Sequence, residues 1–180
     1  MTADLALDIL RQSYKPDTIR VLFIGESPPA GGTFFYKADS NLARYTQRAF
    51  TNVFGSAVGD GEQFLRFFKE LGCFLDDLCL TPINHLDERE RRRYREQSVG
   101  DLAARLRDAS PQAIVVVIKR IVPFVVRAAH QAGFASLPIA ALPFPAQGNQ
   151  LRYVRELTIV LKDLQEAGRL ISSQYLTTTV

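Results

Sequence analysis

Six consecutive residues, Ala113-Ile114-Val115-Val116-Val117-Ile118, contain no polar side chain, and five of them are β-branched. The run is short for a buried helix and shows no alternation, so both of its faces need cover. This is the signature of an interior strand in a parallel sheet. Parallel neighbours cannot be joined by tight hairpins and require crossover connections, usually helices. The run therefore directs the chain to the α/β class, and the rest of the sequence supplies the alternating elements that such a class demands.

Residues 3–12 read as an amphipathic helix, Lys15-Pro16-Asp17 as a turn, and Arg20–Ile24 as a buried strand bounded by Gly25. Helical spacing recurs over Ser40–Phe54 (Leu42, Tyr45, Ala49, Val53) and Glu62–Leu71 (Phe64, Phe67, Phe68, Leu71), with Gly55 and Gly72 as stops. Cys73–Leu80 reads as a second strand. It is followed by the irregular loop Thr81–His85 and the charged stretch Asp87–Glu96, whose Arg cluster would suit a DNA backbone if it faces the sheet's ligand-binding rim but whose glutamates Glu88, Glu90 and Glu96 can pair with these arginines on a solvated helix face. A helix over Val99–Asp108 precedes the 113–118 strand, and a helix over 120–132, stopped by Gly133, follows it. Leu137–Leu142 reads as the fourth strand, Pro143–Gly148 as a Pro/Gly-rich loop, and Asn149 or Gln150 opens a last helix ending near Ala167. The expected architecture is one three-layer α/β/α domain over residues 1–180 with a central four-stranded, mainly parallel sheet, and a polar tail, Ser172–Val180, that frays.

With 180 residues and 47% hydrophobic content the chain can bury a full core. No apolar run reaches membrane-spanning length, and the first ten residues lack the basic start and apolar centre of a secretion signal, which points to a soluble cytoplasmic protein. Cys73 and Cys79 are the only cysteines and cannot alone complete a four-thiolate metal site, so no metal or cofactor is expected. A net charge of +3 permits an anionic polymer as partner.

The Arg20–Ile24 strand runs directly into Gly25-Glu26-Ser27-Pro28-Pro29-Ala30-Gly31-Gly32-Thr33-Phe34-Phe35-Tyr36. In α/β sheets the C-terminal ends of the strands form the ligand-binding edge, so this loop would set Glu26 at the mouth beside three aromatics suited to a flat ring. The Gly-x-Ser-x-Gly elbow of serine hydrolases is excluded, because Pro28 after Ser27 has no N–H for an oxyanion hole and Pro29 replaces the last glycine. No Gly-x-Gly-x-x-Gly or Walker loop is present.

Three segments, Gly25-Glu26-Ser27-Pro28, Asp77-Leu78-Cys79-Leu80-Thr81 and Leu142-Pro143-Phe144-Pro145, resemble in kind and order the site motifs of the uracil-DNA glycosylase superfamily. The resemblance spans roughly residues 18–165. It implies a four-stranded parallel sheet flanked by helices and an enzyme, working as a monomer on DNA, that flips a base out and hydrolyses its N-glycosidic bond. Glu26 resembles the carboxylate of the Gly-Glu-Ala-Pro-Gly form of the first motif, whereas Ser27 stands where the Gly-Gln-Asp-Pro-Tyr-His form has its water-activating Asp. Asp77 stands where an Asn that reads the base is common. Leu142 replaces the His of the His-Pro-Ser-Pro motif.

Breaking this bond places positive charge on the sugar and negative charge on the leaving base, so a carboxylate and hydrogen-bond donors are the required tools. Glu26 is the leading catalytic residue, with Ser27 beside it and His85 as a substitute electrophile for the absent motif His. Gly25, Pro28, Phe35, Tyr36, Asp77 and Asn84 are expected around the base. An ionised Asp77 would favour an exocyclic amine over the carbonyls of uracil. Small residues at Pro29–Gly32 leave room for a bulky C5-modified base. Phe144 is the expected wedge into the duplex, with Gln147, Asn149, Lys119, Arg120 and Arg152 on phosphate. The base stays open between uracil and a modified or amine-bearing base. The rival reading is a glycosylase-like module that binds DNA or a base without cleaving it.

Overall fold

The computed structural model describes residues 3–170; the expected frayed tail, Ser172–Val180, lies outside the described residues. Four strands, β1 (Val21–Gly25), β2 (Cys73–Asp77), β3 (Ala113–Val116) and β4 (Ile139–Ala141), form one sheet in the order β2-β1-β3-β4. Every pairing is parallel, with Phe23 opposite Leu75 on one side and Val115 on the other. Seven helices flank it: α1 (Ala3–Ser13), α2 (Asn41–Phe54), α3 (Gly61–Glu70), α4 (Glu88–Gln97), α5 (Val99–Ala109), α6 (Val122–Gln131) and α7 (Gln150–Glu166). The fold is a three-layer α/β/α sandwich. Among the described residues no helix is long and apolar enough to cross a membrane.

Each layer follows from the sequence pattern. Val21–Ile24 and Ala113–Val117 are fully buried, as continuous apolar strands require. Phe23 packs its ring against Phe50 of α2 and Phe68 of α3, while α7 closes on α2 through a hydrogen bond between the Tyr153 and Thr46 hydroxyls (2.8 Å). The α5–α6 pair covers the other face. Ser40 starts α2 by accepting the Ala43 N–H at 3.1 Å.

The regular strands are shorter than the apolar runs predict, yet the ladder outlasts them. Leu78 and Cys79 donate their N–H groups to the carbonyls of Gly25 and Glu26, each at 2.9 Å, and Val117 donates to Ile24 at 3.0 Å. The chain thus stays tied to the sheet until it reaches the rim where the candidate residues lie.

β1 feeds α2 on one face, whereas β3 feeds α6 on the other, so the chain departs in opposite directions from these adjacent strands. The crevice at such a switch point, beyond the strands' C-terminal ends, is where open α/β sheets place ligands. The loops beginning at Glu26 and Ile118 border it.

Candidate active site

Two clusters of carboxylates and guanidinium groups occupy this rim. At the end of β1, Glu26 receives Arg95 Nε at 2.6 Å on Oε1, and Arg91 on Oε2. Both arginines belong to α4. Arg95, only 3% exposed, also donates to Glu88 at 2.7 Å, and Glu88 in turn faces Arg120 from the loop after β3 at 3.9 Å. The chain Glu26–Arg95–Glu88–Arg120 therefore spans the β1–β3 crevice with alternating charge, fastening α4 across it.

α4 arises because Asp87 caps it: the Asp87 carboxylate accepts the Glu90 N–H at 2.9 Å and Glu90 reaches back to the Asp87 N–H at 3.3 Å. The charged stretch is indeed helical, but it is not simply a solvated face. Positions 88, 91 and 95 fall on one side at about 100° per residue, and this side carries the inward charges.

The second cluster stands at the end of β2. Arg11 of α1 contacts Asp76 at 3.1 Å and Asp77 at 3.4 Å, and Arg105 of α5 pairs with Asp76 while donating to the Asp77 carbonyl at 2.9 Å. Strand alternation predicts opposite faces for Asp76 and Asp77. At the strand terminus, however, the Arg11 fork reaches both, and Asp76 additionally accepts the Asp77 N–H at 2.8 Å. Burial pushes the Asp77 carboxyl up to about 7, against the pull of Arg11. Its Oδ1 lies over Gly25, at 2.4 Å from where a Cβ there would stand.

A hollow lies beside this second cluster. A cleft of about 300 Å³ is lined by Leu7, Asp8 and Arg11 of α1, by Pro28 and by Leu80, Thr81 and Pro82. Ion pairs span the switch-point crevice, and this hollow lies toward α1, with Arg11 joining it to Asp77.

The remaining candidates divide between rim and core. Pro28 lines the cleft. Ser27 accepts the Ile83 N–H at 3.3 Å, a contact that braces the loop after β2. Asn84 and His85 are exposed on that loop. Phe35 and Tyr36, expected against the base, are instead buried at 4% and 2% exposure. Their rings pack edge-on at 5.1 Å, Phe35 against Phe64 and Phe68, Tyr36 against Tyr14 and Phe74. The hydroxyl of Tyr36 donates to the Leu75 carbonyl (2.9 Å) and accepts its N–H (2.7 Å). An edge strand leaves such groups free, and Tyr36 satisfies them.

On the loop after β4, Phe144 is 38% exposed between buried Pro143 and Pro145. Gln147 (φ 51°) and Gly148 (φ 84°) form the turn closed by the Asn149 N–H on the Ala146 carbonyl at 3.0 Å. Gln147 is exposed and Asn149 half-buried. Lys119 and Arg152 are both exposed and both meet Glu156, at 3.8 and 2.6 Å. The residues that sequence reasoning missed are Arg11, Arg91, Arg95 and Arg105. Their partners are 65, 65, 69 and 29 positions away, and no local pattern marks them.

No protein-family model matches the chain, and no curated protein matches it.

Proposed function

We propose that this protein is a monofunctional DNA glycosylase that takes a flipped base into the cleft beside Asp77 and hydrolyses its N-glycosidic bond. The observation that carries the reading is a partly buried carboxylate, Glu26, fixed by two guanidinium groups at the ligand edge of an all-parallel sheet, with a buried carboxyl, Asp77, on the adjoining strand. In the proposed reaction, water oxygen bonds to the sugar C1′ as the bond to the base nitrogen breaks. The bond's electron pair leaves with the base, which takes up a proton, and the water gives one up. Glu26 orients the water and stabilises the cationic sugar from a fixed position, so little reorganisation is needed. Asp77 reads the base edge. Near neutrality its carboxyl exists both as a proton donor and as a pure acceptor, which suits a carbonyl or an exocyclic amine respectively. Phe144 fills the gap left in the duplex, since apolar wedges offset the cost of unstacking.

A second reading is favoured by two specific observations. Both oxygens of Glu26 are engaged by arginines, and Leu142, which stands in place of the motif His, is buried. A domain of this kind would bind DNA or a base without cleaving it.

The test is base release from DNAs carrying uracil, hypoxanthine, mismatched thymine or bulky C5-modified cytosine, with Glu26→Gln as control and melting curves to verify folding. Abasic sites on one substrate, lost in the folded variant, are the expected result and name the base. Tight binding with no release from any substrate would transfer the assignment to the binding module, and absence of binding to DNA and to the free bases would reject both.

A further inference from the structure

Five of the seven residues from Arg89 to Arg95 are arginines. Arg91 and Arg95 turn inward to Glu26. Arg89, Arg92 and Arg93 are exposed and fall within about 100° of one another, on the side of α4 next to the inward one. The expected pairing of the helix's own glutamates with its arginines occurs once, between Glu88 and the inward Arg95, and leaves the three exposed arginines out. Glu88 is held by Arg95 and Arg120, Glu90 closes the capping box, and Glu96 accepts Arg127 of α6 at 2.6 Å. Among the described residues no carboxylate pairs with Arg89, Arg92 or Arg93. Three uncompensated guanidinium groups thus line the outer face of a helix whose inner face is bolted to the candidate site.

We infer that Arg89, Arg92 and Arg93 form a docking stripe for the phosphate backbone of the nucleic acid whose base enters the cleft. The inference rests on the glycosylase reading and adds to it the surface that holds the strand. Guanidinium forks match phosphate oxygens in geometry as well as charge. A membrane surface fits less well, because interfacial helices bury an apolar face, and no apolar side chain lies among these three arginines. The capping box and the two inward ion pairs fix α4 in advance, so little ordering is needed when phosphate arrives.

The test is the salt dependence of duplex binding by the full chain and by a variant combining Arg89→Ala, Arg92→Ala and Arg93→Ala. Alanine favours the helix, and an unchanged melting temperature verifies folding. Each phosphate contact contributes about 0.9 to the slope of log affinity against log salt, so the slope should fall in magnitude by about 2 to 3. Three lysines at these positions should restore most of it. A variant that binds DNA with an unchanged slope would overturn the stripe while leaving the glycosylase reading intact. Failure of the unaltered protein to bind duplex at any salt would overturn both. Binding to phosphatidylserine vesicles that the variant loses, with the duplex slope unchanged, would reassign the stripe to a membrane surface.

Discussion

At Gly25, a single hydrogen in place of a methyl group leaves room for the Asp77 carboxyl. A Cβ there would stand 2.4 Å from Asp77 Oδ1, so Gly25→Ala must displace that carboxyl and disturb its contact with Arg11. Overpacking of this kind costs about 1–3 kcal/mol, and urea unfolding should register a loss in that range. On the proposed function, base release should fall further than DNA affinity, because the displaced group reads the base and does not hold the backbone. Equal losses in both would remove Asp77 from the base-reading role. Glu26 carries a larger stability term. Glu26→Gln leaves the buried Arg95 with Glu88 alone and Arg91 without its ion-pair partner. Removing one member of a buried ion pair costs about 3 kcal/mol, which a denaturant midpoint at neutral pH should show. A shift of only a few tenths would mean that the clamp adds nothing to folding.

Among the elements, β2 most clearly depends on a partner outside the sheet. As the strand at one edge of the sheet, it would expose the backbone of Leu75 if Tyr36 did not bond both its N–H and its C=O. Tyr36→Phe keeps the ring packing and orphans two buried groups, each costing about 1–3 kcal/mol, so thermal unfolding should fall by several degrees with the fold retained. An unchanged melting temperature would show that water replaces the hydroxyl. The same residue shows where the sequence stops being informative. The strands, helices and their order are legible because burial on both faces and 3.6-residue spacing are written in consecutive residues. The position of Glu26 is legible because it directly follows a strand. An aromatic triplet after a strand, by contrast, looks the same whether it lines a pocket or seals an edge. The choice between these depends on Leu75, 39 residues away. Arg91 and Arg95 are hidden for the same reason: a charged helix reads as solvated until its partner across the sheet is known.

The whole molecule concentrates buried charge at one rim, and this gives its stability a pH dependence with a definite sign. Burial raises Asp77 from 3.8 to about 7 in the folded state, whereas in the unfolded chain it titrates as an ordinary carboxyl. Between these values the folded protein holds a proton that the unfolded chain has released. The unfolded state therefore binds fewer protons, and stability falls as pH rises through this window. The contribution is complete below about pH 4, where both states are protonated, and is lost above about pH 7. A shift of this size corresponds to a few kcal/mol, at about 1.4 kcal/mol per unit. Asp77→Asn keeps the shape and removes the titration, so the variant should gain stability relative to the parent between pH 5 and pH 8. Urea midpoints of the two proteins across that range provide the comparison. Parallel curves would mean that Arg11 holds Asp77 ionised throughout, leaving it only the acceptor role toward an exocyclic amine. Diverging curves would give the rim a carboxyl that changes its hydrogen-bonding character near neutral pH, and base release from keto- and amino-bearing substrates should then shift in opposite directions over the same interval.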